Sequence, residues 1–281
     1  MTAPMVTFRT STAAELTDAA FGPHPAIWPL PPASAPEDAW LRAVALGGAG
    51  RYAAAHAGLN ALEVPRGRAD RLASLALSTR ASLLRQLGWH ALARGFDGRA
   101  LAMAHVDAEA RSDALVGLAA DALGLGRFPL AHALLKQAQR LSERGDVRWP
   151  WRLPLRLAWV HAELAMVSGD GARSLRYART AERLALDVPS VRHQVKTAMV
   201  LAAALGSAGD VAESAAVAAR GLQAATAHGL VPLRWALAAM LASLPAAEEV
   251  GQSREDLVAI RRDCAAWIAH AGGRWRLEVV D

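Results

Sequence analysis

At 281 residues, with 53 % apolar and 5 % aromatic side chains, the chain is long enough for a sizeable core and too apolar for a disordered polymer. Lys136 and Lys196 are its only lysines, leaving 29 arginines among 31 cations against 26 acids, and the resulting charge of +5 is spread too thinly to point to a nucleic-acid stripe. One cysteine, Cys264, excludes an internal disulfide and a cysteine metal cluster; the absence of a basic, apolar leader and of any run of ~18 uncharged apolar residues predicts a cytoplasmic protein.

Alanine and leucine dominate while β-branched and aromatic residues are sparse, which predicts an all-α fold. In chain order, TAAELTDAA predicts a short helix capped by Ser11 or Thr12, with Glu15 as reciprocal partner. Prolines 23, 25, 29, 31, 32 and 36 then fix φ and remove backbone donors, so residues 1–36 form an N-terminal arm that is partly extended, with Trp28 anchoring it on the body. From Glu37 to His270 the pattern is helix, short break, helix. The breaks are GAGRY, RGFDG, LGRFP, SGDGA and SAGDV, whose glycines at 50, 95, 126, 169 and 209 end one helix before a small or acidic residue opens the next. A helical stretch over 230–244 is stopped by Pro245, and another runs from Arg254 to His270 with Ser253 as cap. This last pair covers the end of the stack. The tail, residues 271–281, ends in GGRWRLEVVD and reads as a short strand or an extended tail.

Around each break the chain repeats itself. LGWHALARGFDGRALAMA at 87–104 returns as LAADALGLGRFPLAHALL at 118–135, and small residues follow five positions after each break, at Ala55, Ala100, Ala131, Ser174 and Ser214. This spacing of a large and a small residue, a Gly-containing turn and then a small residue resembles the tetratricopeptide repeat over residues 39–228. The intervals of 45, 31, 43 and 40 residues depart from that family's period of about 34. The resemblance implies a right-handed α-solenoid of about five to six antiparallel helical hairpins, with the first helix of each pair lining a concave groove. It also implies a non-catalytic scaffold or adaptor, acting within a regulatory complex, whose partner is a protein or peptide bound without a cofactor.

No catalytic motif competes with that reading. GLGR at 124–127 lacks the Lys-Ser/Thr of a phosphate loop, and no His-Glu-x-x-His or Gly-x-Ser-x-Gly is present. His161 and Glu163 are two apart and point to different helix faces, so they form no metal site. Cys264 lies in RRDCAAWIAH and reads as a buried, inert thiol. Carrying over the family's inner positions selects Ser82, Arg85 and Trp89, then Asp113 and Val116, then Arg156, Trp159 and Glu163, then Lys196 and Met199. From these, Arg85, Trp89, Asp113, Arg156, Trp159, Glu163 and Lys196 form the expected partner-binding set, since Trp and Arg most often dominate binding energy. Filling space between pairs is the alternative role for both tryptophans. The asparagines of the family's clamp for C-terminal carboxylates are missing, which argues against a chaperone-tail adaptor.

RGDVRWPWRLPLR at 144–156 interleaves Arg144, Arg148, Arg152 and Arg156 with Trp149 and Trp151. It reads first as a structural linker and second as a protein-binding edge. The alternative function is a nucleic-acid-associated regulator using this segment, whose mark would be a continuous arginine stripe across the third and fourth repeats. Self-association through the Ala-rich faces at 198–219 is a further reading.

Overall fold

The computed structural model describes residues 12–63, 70–142 and 148–276, and among them every regular element is helical. The expected cap Ser11, residues 144–147 of the Arg/Trp segment and the last five residues of the tail lie outside this range. A first helix, α1 (Thr12–Phe21), precedes a helix-free stretch containing the prolines. Six consecutive pairs follow: α2 (Pro36–Gly48) with α3 (Tyr52–Asn60), α4 (Arg71–Gln86) with α5 (His90–Ala104), and α6 (Ala108–Gly124) with α7 (Phe128–Ser142). After them come α8 (Arg152–Val167) with α9 (Gly171–Ala185), α10 (Val191–Ala208) with α11 (Val211–Ala227), and α12 (Val231–Ser243) with α13 (Arg254–His270).

One local device makes the first five pairs and recurs at the end of the 3-10 helix Pro245–Val250, which separates α12 from α13. At the turn a glycine adopts the left-handed conformation, φ +70° to +94°, at Gly50, Gly88, Gly126, Gly169, Gly209 and Gly251. The next residue then donates its N–H to the carbonyl five positions back, Arg51 to Leu46 and Trp89 to Leu84 through Gln252 to Ala247, at 2.7–3.1 Å. This is the Schellman closure, which satisfies carbonyls that the helix end would leave unpaired. The turn glycines are 38, 38, 43, 40 and 42 residues apart. The expected break at RGFDG is therefore corrected: Gly95 lies inside α5 and Gly88 makes the turn. With that shift the small residue five positions on becomes Ala93, and Ala55, Ala93, Ala131, Ser174 and Ser214 are all almost inaccessible where paired helices approach.

The first helices pack on one another in sequence, α2 on α4, α4 on α6, α6 on α8, α8 on α10 and α10 on α12. The second helices pack chiefly on the first helices to either side. Two layers result. Fully buried leucines such as Leu75, Leu155, Leu205 and Leu237 fill the layer between them, each stabilising by about 1.5–3 kcal/mol. Of the Ala-rich faces at 198–219, Ala202, Ala204, Ala215 and Ala218 are inaccessible within the fold, whereas Ala208 and Ala212 are exposed.

The segment after α13 returns to the first two pairs. The N–H of Ala53 donates to the carbonyl of Ala271 at 2.8 Å, and that of Arg276 to Leu87 at 2.9 Å. On the other side the N–H of Val191 donates to Gly22 at 3.2 Å. Phe21, 3 % exposed, and Leu30 are what hold the proline-rich stretch, whereas Trp28 is 57 % exposed and only faces the Arg51 guanidinium at 3.6 Å. Trp28 is thus not the buried anchor expected of it, because Phe21 already fills the apolar site. Among the described residues no helix is long and apolar enough to cross a membrane.

Candidate functional site

The expected inner residues fall on the first helices, except Trp89 at the N-cap of α5, and two pairs of them engage one another, Asp113 with Arg156 and Glu163 with Lys196. Arg85 of α4 reaches between α5 and α6, where its Nη1 donates to Asp97 Oδ2 at 3.0 Å, Asp121 Oδ1 at 2.5 Å and the Gly117 carbonyl at 3.1 Å. A Cβ on Gly117 would collide with the Asp97 carboxylate, so glycine is what admits the carboxylate to this position. Both carboxylates are inaccessible. Burial opposes the charge on Arg85, but the two carboxylates outweigh it and hold the guanidinium above its usual range. Burial raises Asp97 to about 7 against the pull of Arg85, with Asp121 adding to the rise. Asp121 is raised for the same first reason.

A second network begins one turn away. Asp113, 3 % exposed, accepts from both Arg152 and Arg156, and Arg152 also donates to Glu109 at 3.2 Å. Arg71 joins Glu109 at 2.8 Å and Glu37 at 3.5 Å, and Arg148 closes on Glu37 at 2.7 Å. Carboxylates four apart on α6 thus face arginines four apart on and before α8. Arg192 of α10 has no carboxylate partner among the described residues; burial lowers it to about 10, and Arg152 and Arg156 add to the shift.

Aromatic rings fill the remaining space. Phe21 packs on Trp149 at 4.7 Å and Trp40 at 5.6 Å, and His193 sits edge-on to Trp151 at 4.8 Å and stacked on Trp159 at 5.6 Å. Burial, reinforced by Arg192, Arg152 and Arg156, holds His193 well below the usual histidine range, so it is neutral and pairs with the Ser190 hydroxyl at 2.8 Å. One contact occurs twice: an indole N–H donates to a threonine hydroxyl on the next first helix, Trp40 to Thr79 at 2.9 Å and Trp159 to Thr197 at 3.0 Å. Each threonine in turn donates to its own helix four residues back, at 2.8 Å.

The expected binding residues therefore have definite places. Trp159 is 8 % exposed and packs between pairs in the core. Trp89 donates its indole N–H to the Arg274 carbonyl at 2.6 Å and lies under the C-terminal segment. Arg85, Asp113 and Arg156 are paired inward. Glu163 and Lys196, 29 % and 28 % exposed, join α8 to α10 at 3.1 Å and form the accessible rim. Ser82 and Met199 are partly buried, and Val116 is buried. In the segment from Arg148 to Arg156, expected as a linker or an edge, Trp149 and Arg152 are 9 % exposed and belong to the core, whereas Arg148 stays exposed and pairs with Glu37. Sequence reading missed Phe21, Trp40, Glu37 and Glu109. The signal for the carboxylates was present in the matched four-residue spacing of Glu109 and Asp113 against Arg148, Arg152 and Arg156. Cys264 is buried, and burial raises its thiol above the usual range. Among the described residues no group of three or more His, Cys, Asp or Glu could hold a metal ion.

No protein-family model matches the chain, and no curated protein matches it.

Proposed function

We propose that the chain is a non-catalytic scaffold or adaptor for a protein or peptide partner in a cytoplasmic regulatory complex. Its six pairs wind into a right-handed superhelix of the tetratricopeptide type, and the proline-rich segment is an arm that closes one side. One observation supports this above the rest. On the first helices and the α4–α5 turn, Arg85, Trp89, Asp113, Arg156 and Trp159 are each already hydrogen-bonded and form a rigid floor, with Glu163 and Lys196 as its rim. A floor whose rotamers are already fixed loses little entropy when a partner binds, and a rim of one acid and one cation gives the partner its register. An extended segment crossing α8 and α10 exchanges the Lys196–Glu163 pair for charges of its own.

The test is chemical cross-linking in native-host lysate with wild type beside a Glu163→Lys/Lys196→Glu variant, whose exchanged rim charges leave the floor untouched. A protein cross-linked to α8 or α10 in wild type and lost in the variant supports the groove. Cross-links confined to the second helices, or unchanged in the variant, overturn it.

A further inference from the structure

The second helices divide sharply by charge. Those of pairs two, three and four, α5, α7 and α9, carry eight Lys and Arg and two carboxylates, one of which is the buried Asp97. Those of pairs one, five and six, α3, α11 and α13, carry four cations and four carboxylates. The excess charge of the chain is concentrated on three consecutive outer helices.

The cations hold the most outward positions. α7 buries Ala131, Leu135 and Ala138, and at 100° per residue Lys136 and Arg140 fall opposite them. α9 buries Ser174, Ala178, Ala181 and Ala185, and Arg173, Arg176 and Arg183 occupy its far side. All five are exposed, and none is in an ion pair among the described residues. At a rise of about 1.5 Å per residue the α9 row is about 15 Å long, on the order of four base-pair steps.

We propose that the outer face of α7 and α9, flanked by Arg94 and Arg99 of α5, docks double-stranded nucleic acid through its phosphates. The position of the apolar residues separates this from an acidic protein partner. Protein interfaces place a desolvated apolar anchor at the centre. Here the exposed apolar side chains, Leu92, Leu130, Leu184 and Leu186, lie at the first or last turns of their helices, and the centre holds guanidinium and ammonium groups among Ala133, Gln137 and Thr180. Guanidinium forks pair with phosphate oxygens bidentately and gain by releasing counterions. Recognition is of backbone rather than of base sequence, since among the described residues no element projects from the face to enter a groove. The surface lies in the second-helix layer and is independent of the groove on the first helices.

The test is fluorescence anisotropy of a labelled random-sequence duplex of about 20 base pairs, titrated with full-length protein from about 50 to about 200 mM salt. Two double variants with equal loss of charge are compared, Arg140→Glu/Arg176→Glu on the basic helices and Arg220→Glu/Arg254→Glu on the neutral ones. Helical circular dichroism checks that both are folded. The wild type should bind with a steep salt dependence. The first variant should lose about tenfold or more in affinity and about two units of log–log salt slope, and the second less than about threefold. Absence of duplex binding at the lowest salt overturns the proposal. So do equal losses in the two variants, which would mean a response to net charge alone, and tighter binding to poly-glutamate or to vesicles of phosphatidylcholine and phosphatidylserine than to duplex.

Discussion

On the first helices Arg85, Arg152 and Arg156 are each held by buried carboxylates, whereas on α7 and α9 Arg140, Arg176 and Arg183 stand in solvent with no ion pair among the described residues. The same side chain does two jobs, and the carboxylate opposite it decides which. An inner guanidinium is tied to the stability of the fold, because removing its partner leaves a desolvated charge. An outer one can be changed with little effect on folding and is available to something else.

The sharpest break in this comparison is Asp113→Ala, which leaves Arg152 and Arg156 facing each other; urea unfolding should show a loss of about 3–5 kcal/mol. Reversing Arg140 and Arg176 should move the same midpoint by less than about 0.5 kcal/mol apiece. The buried pair of carboxylates beside Arg85 gives a pH signature. Asp97 is raised in the folded state to about 7 from an ordinary 3.8, so between those values the folded protein binds more protons than the unfolded chain. Stability should therefore fall as pH rises from about 4 to about 7, and the wild-type curve minus that of Asp97→Asn should isolate the slope. Glycines come next. Gly88→Ala forces a side chain into φ +86° and should destabilise by about 1–2 kcal/mol, while Gly95→Ala, in the body of α5 with nothing within 4 Å, should stabilise by up to about 1 kcal/mol. The smallest effect belongs to the rim: Lys196→Ala should cost less than about 1 kcal/mol, since its pair with Glu163 is partly solvated.

Much of the helical plan was legible because its signals are local. Ser253 caps α13 by accepting the Asp256 N–H at 3.0 Å, Pro245 ends the preceding helix, and four of five turn glycines were placed correctly. The fifth was misplaced by seven residues, from Gly88 to Gly95, for a physical reason. Seven residues are two helical turns, so the shift keeps the same face buried, and Ala93 and Ala100 are equally inaccessible. Periodicity alone cannot tell them apart. Only the left-handed backbone at Gly88 can. The inner positions were also legible, but their roles were not. Whether Arg156 meets solvent or Asp113 depends on a helix 43 residues earlier in the chain, and Trp89 is covered by a carbonyl 185 residues later. No window of sequence holds that information.

The long-range contact of Trp89 carries a consequence for how the molecule comes apart. In an open array each unit touches only its neighbours, so melting starts at a free end and proceeds inward. Here Ala53 holds Ala271, Leu87 holds Arg276 and Trp89 holds Arg274, so neither end unit of the stack is free to start. The first and last units should lose structure together, giving a single transition that is abrupt in heat. Refolding should be slow for an all-helical chain, since the contacts that complete it join its most distant residues.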